Sequence, residues 1–364
     1  MSEISKLLEY ASEVGASDIH LVAGEKPVFR QFGDLVEGCS DVLTSERIHA
    51  ILQEVVPKRL LASFENEHEV DFSMDEPGIG RYRANAFFEK GRPSLALRAV
   101  RTEVPSFEEL GLPAIIGDIA LCRRGILLAS GPTGCGKSTT LARMIQHINE
   151  NNHMRVITIE DPIEFLFTNK RSIILQREIG TDTPSFAHAL RSTLRQDPDI
   201  IMIGEMRDAD SFQAALTMAE TGHLVLSTLH TDTASQAISR ILNFFPIEQR
   251  DVIRMSLADN LRGVVCQRLL QTVKGELAPT VEILLNTPIV RKLLLTGGLE
   301  KLHSAIETDA ESGMMTFNDS LHQLIEAGTI TEETGLASSN NPSQLQMYLE
   351  GIHLDEGRRI ISGG

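Results

Sequence analysis

The clearest chemistry in this chain is held by Gly131-Pro132-Thr133-Gly134-Cys135-Gly136-Lys137-Ser138, with Thr139 next. The spacing is G-x-x-x-x-G-K-[ST], a loop that wraps phosphate. Its glycines let successive backbone N–H groups turn inward around an anion, where a Cβ would stand in the way. Lys137 can reach the β- and γ-phosphates, and the Ser138 hydroxyl can ligate Mg²⁺. The implied ligand is a nucleoside triphosphate. Carboxylates follow at two places. Glu160, Asp161 and Glu164 lie in Ile157-Thr158-Ile159-Glu160-Asp161-Pro162-Ile163-Glu164. A carboxylate beside a γ-phosphate can accept a proton from the attacking water or hold the Mg²⁺ shell. Taken alone, the same stretch reads equally well as a solvated acidic loop. Glu205 ends the apolar run Ile200–Gly204 in the manner of a Walker B element, and Arg207 follows it.

Two histidines and a set of arginines complete the chemistry. His223 and His230 bracket the run Leu224–Leu229. His230 falls at the sheet edge expected for the phosphate loop, which favours a γ-phosphate sensor or a subunit contact. His223 is balanced between a structural and a functional role. Arg81, Arg83 and Arg98 concentrate positive charge on a predicted hairpin. An arginine face is usually solvated. Phosphoryl transfer nevertheless gains roughly 10³-fold or more from positive charge brought from outside the loop.

These residues require a parallel sheet to present them. Strands are predicted at Gly125–Ser130, Arg155–Glu160, Ser172–Gln176, Ile200–Gly204 and Leu224–Thr228, with helices at 137–149, 184–195 and 209–220 between them. Strands alternating with helices specify an α/β domain with ligands at the carboxyl ends of the strands. A helix over Ile247–Leu261 and a last strand over Ala278–Leu285 follow, then helices from Pro288 onward. Residues 1–102 read as a smaller α+β domain: a helix at Ile4–Val14, a helix across Thr44–Phe64, and strands ending in the hairpin Gly80–Phe88 and Ser94–Val100. The expected division is 1–102, a proline-flanked linker at 103–115, and 116–364. The polar tail Asp355–Gly364 is expected to be disordered.

The 364 residues carry a net charge of −16, with 42% hydrophobic and 23% charged residues and no Trp. So acidic a surface repels phosphate backbones, and stacking aromatics are few, so nucleic acid is not an expected partner. No apolar run approaches the roughly 18–20 residues of a membrane span. Cys39, Cys122, Cys135 and Cys266 lack metal-ligand spacing and fit free thiols in a cytoplasmic protein.

With these residues in view, the chain resembles the secretion ATPases that power type IV pili, most closely the pilus retraction ATPases of the PilT/PilU group. The resemblance rests on GASDIHL, GIGRYRANAF, the phosphate loop, IEDPIEF, LRQDPDIIMIGEMRD and ETGHLVLSTLHT, in this order over nearly the whole chain. It implies a RecA-like P-loop ATPase domain beside a PAS-like N-terminal domain, and a homo-hexameric ring with ATP sites between domains. ATP and Mg²⁺ are the implied ligands. By matching position, Glu164 becomes the catalytic carboxylate together with Lys137. Glu205 becomes the Walker B carboxylate that holds Mg²⁺ with Ser138, Arg83 and Arg98 bind the γ-phosphate, and Glu160, Asp161 and His230 complete the nucleotide site. Implied partners are an inner-membrane pilus platform protein and a paralogous retraction ATPase, with the ring peripheral at the inner membrane. One departure stands out. Principal retraction ATPases carry A-I-R-N-L-I-R-E where this chain has Pro288-Ile289-Val290-Arg291-Lys292-Leu293-Leu294-Leu295-Thr296-Gly297, without the closing Arg-Glu. With Asn243-Phe244-Phe245-Pro246, this looks more like the accessory PilU-like branch. The alternatives are a pilus-extension or type II secretion ATPase, whose tetracysteine spacing is missing here, and a nucleic-acid-dependent RecA-like ATPase.

Overall fold

The computed structural model describes residues 2–38 and 41–352, so Cys39 and the predicted disordered tail lie outside the described residues. The chain forms two compact units, one of residues 1–102 with Pro162–Leu166 and one of residues 103–161 with 167–364.

In the first unit, α1 (Glu3–Glu13), α2 (Ser45–Val55) and α3 (Lys58–Glu67) accompany six strands: β1 (Asp18–Val22), β2 (Val28–Gln31), β3 (Asp34–Glu37), β4 (Glu69–Glu76), β5 (Gly80–Glu89) and β6 (Arg92–Ala99). The helix expected across Thr44–Phe64 is in fact two, because Pro57 has no N–H to continue α2 and instead precedes the first turn of α3. The sheet is antiparallel throughout, in the order β3-β2-β1-β6-β5-β4. Side chains alternate across it with period two. Ile19, Leu21, Ala84, Ala86, Leu95 and Leu97 are buried with Ile4, Leu8, Ile48 and Leu52 of the helices. The intervening residues, Asp18, His20, Arg81, Arg83, Asn85 and Arg98, therefore share the other face.

The second unit follows strand–helix alternation. Its elements are α4 (Ile115–Ala120), β7 (Gly125–Ser130), α5 (Lys137–Asn151), β8 (Arg155–Glu160), β9 (Ile173–Glu178), α6 (Phe186–Thr193), β10 (Ile200–Ile203), α7 (Ala209–Glu220), β11 (Leu224–Leu229), α8 (Ala234–Asn243), α9 (Ile247–Asn260), β12 (Leu261–Gln271) and β13 (Leu277–Leu285). Helices α10 (Pro288–Thr296), α11 (Leu302–Thr308), α12 (Phe317–Glu326), α13 (Glu332–Ser338) and α14 (Pro342–Leu349) complete it. The sheet order is β13-β12-β7-β11-β10-β8-β9, parallel except for the β12–β13 pair. This is the expected α/β fold with a mixed sheet. β7, β10 and β11 are buried at every residue, as strands covered on both faces must be. Ile126, Leu128, Ile201 and Val225 pack with α6–α9, while Leu127, Ala129, Leu224 and Leu226 pack with α4 and α5.

Two elements were not legible. β12 starts on the residue after α9 with no turn between them, and α8 follows the His230 loop directly. Residues 103–115 pack within the second unit: the Phe107 ring meets His147 edge-on at 5.5 Å and lies under the Arg143 guanidinium at 5.2 Å.

The last turn of α5 is anchored through Glu150, which accepts from Arg143 at 2.6 Å and from Gln146 and Lys170 at 2.9 Å each. Partial burial pushes its carboxyl up, but the bonds from Lys170, Arg143 and Gln146 win and bring it down from 4.5 to about 2. A depressed carboxyl contributes stability that is fully present above its unfolded value and fades as pH falls toward the folded one. Glu150→Gln should therefore lower stability by about 1 kcal/mol at pH 7, after allowance for solvent screening. The gap to wild type should close between pH 4.5 and 2. Urea unfolding across that range checks it, and a gap unchanged at pH 3 would refute it.

Candidate functional site

The phosphate loop leaves the buried end of β7 at Ser130 and enters α5 through Gly136, whose φ of 92° is left-handed. Gly131 and Gly134 also have positive φ, 147° and 79°. Space, as well as backbone freedom, demands glycine here. A Cβ on Gly131 would overlap the Gln267 carbonyl oxygen and lie 2.6 Å from Cys135 Sγ, and one on Gly136 would lie 2.8 Å from Gln267 Nε2. Gln267 is on β12 and accepts a 2.7 Å bond from Thr140 Oγ1 of α5. The loop is thus pressed between its own helix and a neighbouring strand. Pro132, Thr133, Gly134 and Ser138 are exposed and Thr139 is half-buried. Cys135 is buried, which raises its thiol above the ordinary range. Lys137 is buried and donates from Nζ to the carbonyls of Gly131 and Pro132, each at 2.8 Å. Its ammonium is held at the loop by oxygen acceptors, where a phosphate oxygen could take their place. The first turn of α5 adds N–H groups that lack helical partners.

Beside the loop, the parallel register sets Leu229 opposite Ser130. Ser130 Oγ donates to Thr231 O at 2.7 Å, fixing the turn that carries His230. Thr228 Oγ1 bonds Gly204 O at 2.7 Å and so holds the end of β10 against β11. Between these ends the Glu205 carboxylate is gripped on both oxygens. Oε1 lies 3.2 Å from His230 Nε2, and Oε2 lies 2.7 Å from both Nε and Nη2 of Arg207. The hydrogen bond and charge of Glu205 raise the Arg207 pKa still further. His223, at the other end of β11, spends Nδ1 on Met218 O at 2.9 Å and Thr221 at 3.1 Å. It closes the end of α7.

The three acidic positions at and after the end of β8 divide between the units. Glu160 is buried and accepts from Thr158 Oγ1 at 2.6 Å and Gln176 Nε2 at 3.2 Å, while Asp161 is exposed; both belong to the second unit. Glu164 is exposed and belongs to the first, within a segment bridged to it at Phe165–Arg101.

The first unit also places Arg83 and Arg98. They stand directly opposite each other on β5 and β6, in one rung that runs Ser73–Arg83–Arg98–Asp18–Arg30 across five strands. Like charges at such positions repel. Arg98 donates from Nε to Asp18 Oδ1 at 2.6 Å, and Arg83 makes no ion pair or side-chain hydrogen bond among the described residues. Arg81 is committed to Asp75 at 2.7 Å. The rung therefore keeps unneutralised positive charge, as an anion site does. Gln267, Thr231 and Asp18 are the members that sequence reading missed; Asp18 sits in GASDIHL, but only strand pairing reveals what it faces.

Residues 95–297 match the family described as Type II/IV secretion system protein. The chain is 38% identical to the type IV pilus retraction ATPase PilT of Pseudomonas aeruginosa over 93% of this chain and 99% of that protein. It is 39% identical to the type IV pilus ATPase PilU of the same organism, over 96% of this chain and 91% of that one. A crystal structure of the pilus retraction motor PilT with bound ADP superposes with a TM-score of 0.87 at 39% identity, covering 95% of this chain and 99% of the other.

The lack of space at the loop shows in folding alone. Gly131→Ala should cost at least about 2 kcal/mol and resist rescue, since it collides with backbone. Part of the Gly136→Ala cost should vanish in Gly136→Ala/Gln267→Ala, because there the obstacle is a side-chain end. Thermal unfolding of wild type, both glycine variants, Gln267→Ala and the two double variants decides, and equal rescue of both glycine variants by Gln267→Ala would refute it.

Proposed function

We propose, from the premise that this chain belongs to the type II/IV secretion system protein family and groups there with the type IV pilus retraction ATPases, that it hydrolyses ATP to drive pilus retraction and twitching motility. The observation that carries the reading is the loop shaped by Gln267, with the Lys137 ammonium held by two loop carbonyls. Backbone N–H groups along Thr133–Thr139 and the Lys137 side chain bind the β- and γ-phosphates. The donor set fits Mg²⁺, which keeps most of its ligands as water and phosphate oxygen and asks only one or two of the protein. Ser138 and Glu205 would hold it, and when bound it neutralises charge on the β- and γ-oxygens.

In the proposed reaction Glu164 accepts the proton of the attacking water, and Arg83 and Arg98 engage the charge that develops on the γ-phosphate. Glu160 and Asp161 border the nucleotide site. His230 reports on the γ-phosphate through Glu205, the carboxylate it already touches. The assembly proposed is a homo-hexameric ring in the cytoplasm, peripheral at the inner membrane on a pilus platform protein. Among the described residues no helix is long and apolar enough to cross a membrane. The chain is equally similar to the principal and the accessory relatives. The absence of a closing Arg-Glu in α10 favours the accessory role beside a paralogous retraction ATPase.

Lys137→Ala should abolish turnover. Glu164→Gln should bind ATP normally while kcat falls about 10²–10⁴-fold, the range of a lost general base. A wild-type rate in Glu164→Gln would remove Glu164 from the assignment. Deletion in the host, scored for surface pili and twitching, addresses the role: a mild motility defect fits the accessory motor, and hyperpiliation without motility the principal one.

A further inference from the structure

Two arginines directly opposed on neighbouring strands are an unfavourable arrangement, and the first unit stabilises it with one carboxylate. Asp18 lies next to Arg98 in the same rung, with Arg30 on its other side. It is 7% exposed, and its two oxygens are allotted separately: Oδ1 accepts from Arg98 Nε at 2.6 Å, and Oδ2 from Ser17 Oγ at 2.8 Å. Among the described residues Arg30 makes no bond to Asp18; its Nη1 donates to Gly33 O at 2.6 Å. Burial pushes the Asp18 carboxyl up, but the Ser17 and Arg98 hydrogen bonds and the charges of Arg98 and His20 outweigh it and hold it below its ordinary value. The carboxylate is charged at neutral pH.

The atom that Asp18 takes matters. A guanidinium presents two edges, and an oxyanion is gripped best by a pair of parallel N–H donors. Asp18 occupies the Nε side only. Arg98 makes no other side-chain hydrogen bond among the described residues, and its side chain is two-thirds exposed. The terminal nitrogens are left for an anion, while the stem is fixed by a buried partner. Arg83, across the strand, has no such anchor.

We propose that Asp18 is a positioning residue for phosphoryl transfer: held by Ser17, it fixes Arg98 through Nε and leaves both terminal nitrogens as donors for the γ-phosphate. The inference rests on the reading of Arg98 as a γ-phosphate ligand and adds what orients it. A guanidinium that must be collected from many rotamers during each turnover loses the advantage of preorganisation. Lysine would not serve in the same way, because its compact ammonium lacks a guanidinium's separate edge for the anion once Asp18 is bound.

The experiment is a double-mutant cycle on the full chain. ATPase kcat and ADP affinity are measured for wild type, Asp18→Asn, Arg98→Ala and the double variant. Asp18→Asn is expected to lower kcat about tenfold and leave ADP affinity within about twofold, because it changes orientation and not the phosphate loop. In the Arg98→Ala background the same substitution should change kcat by less than about twofold, since Asp18 acts only through Arg98. Ser17→Ala, which keeps the Asp18 charge but loosens its hold, should cost about twofold to threefold in the same Arg98-dependent way and guards against a folding defect in Asp18→Asn. A merely structural role for Asp18 predicts equal losses in both backgrounds, and that result, or a wild-type kcat for Asp18→Asn, overturns the inference while leaving Arg98 its role. A wild-type kcat for Arg98→Ala overturns both.

Discussion

The structure depends on a shortage of space at Gly131 and Gly136. Gln267 presses on both positions, with its backbone carbonyl at one and its side-chain amide at the other, and its Oε1 also accepts from Thr140 in the helix beyond. A loop confined between a strand and its own helix cannot relax to bury its N–H groups elsewhere. Its glycines adopt φ values of 147° and 92° that other residues avoid. Much of an anion site is therefore built before any anion arrives, and preorganisation of this kind keeps reorganisation out of the reaction barrier.

The same logic governs the edge of the parallel sheet. β7, β10 and β11 carry no polar side chains on their buried faces except those that bond across to a neighbouring strand end, such as Ser130, Ser227 and Thr228. Those bonds set the relative heights of the strand ends. Glu205, His230 and Arg207 meet because the register pairs Ile203 with Ser227 and Leu229 with Ser130. A one-residue slip of β10 against β11 would disturb the buried packing of both strands and part Glu205 from His230.

In the first unit a helix-packed face and a charged face share the same strands. The apolar set Tyr82, Ala84, Ala86, Leu95 and Leu97 fixes the register by demanding burial, and the arginines fall opposite each other as a consequence. Asp18 is the buried counter-charge that makes the arrangement tolerable. Hydrophobic patterning thus decides electrostatic geometry, since a slip would cost several buried side chains at once.

Much of the local organisation was legible from residue order. The phosphate loop, the carboxylates Glu160, Asp161, Glu164 and Glu205, and the alternation of strands and helices all depend on local spacing, and local spacing is written in the chain. β12 was not legible, because Leu261 passes from helix to strand without a turn residue to mark it, and so Gln267 could not be placed against the loop. The sequence favoured a functional role for His230 and left His223 undecided. The structure separates them, since one closes a helix and the other touches Glu205. The sequence by itself determined which groups are present and the periodicity of the elements that carry them. Tertiary structure alone decided which of those groups face one another, because partners such as Asp18 and Arg98, or Thr140 and Gln267, lie 80 and 127 residues apart and meet only where distant elements come together, the first pair by strand pairing and the second where helix α5 meets β12.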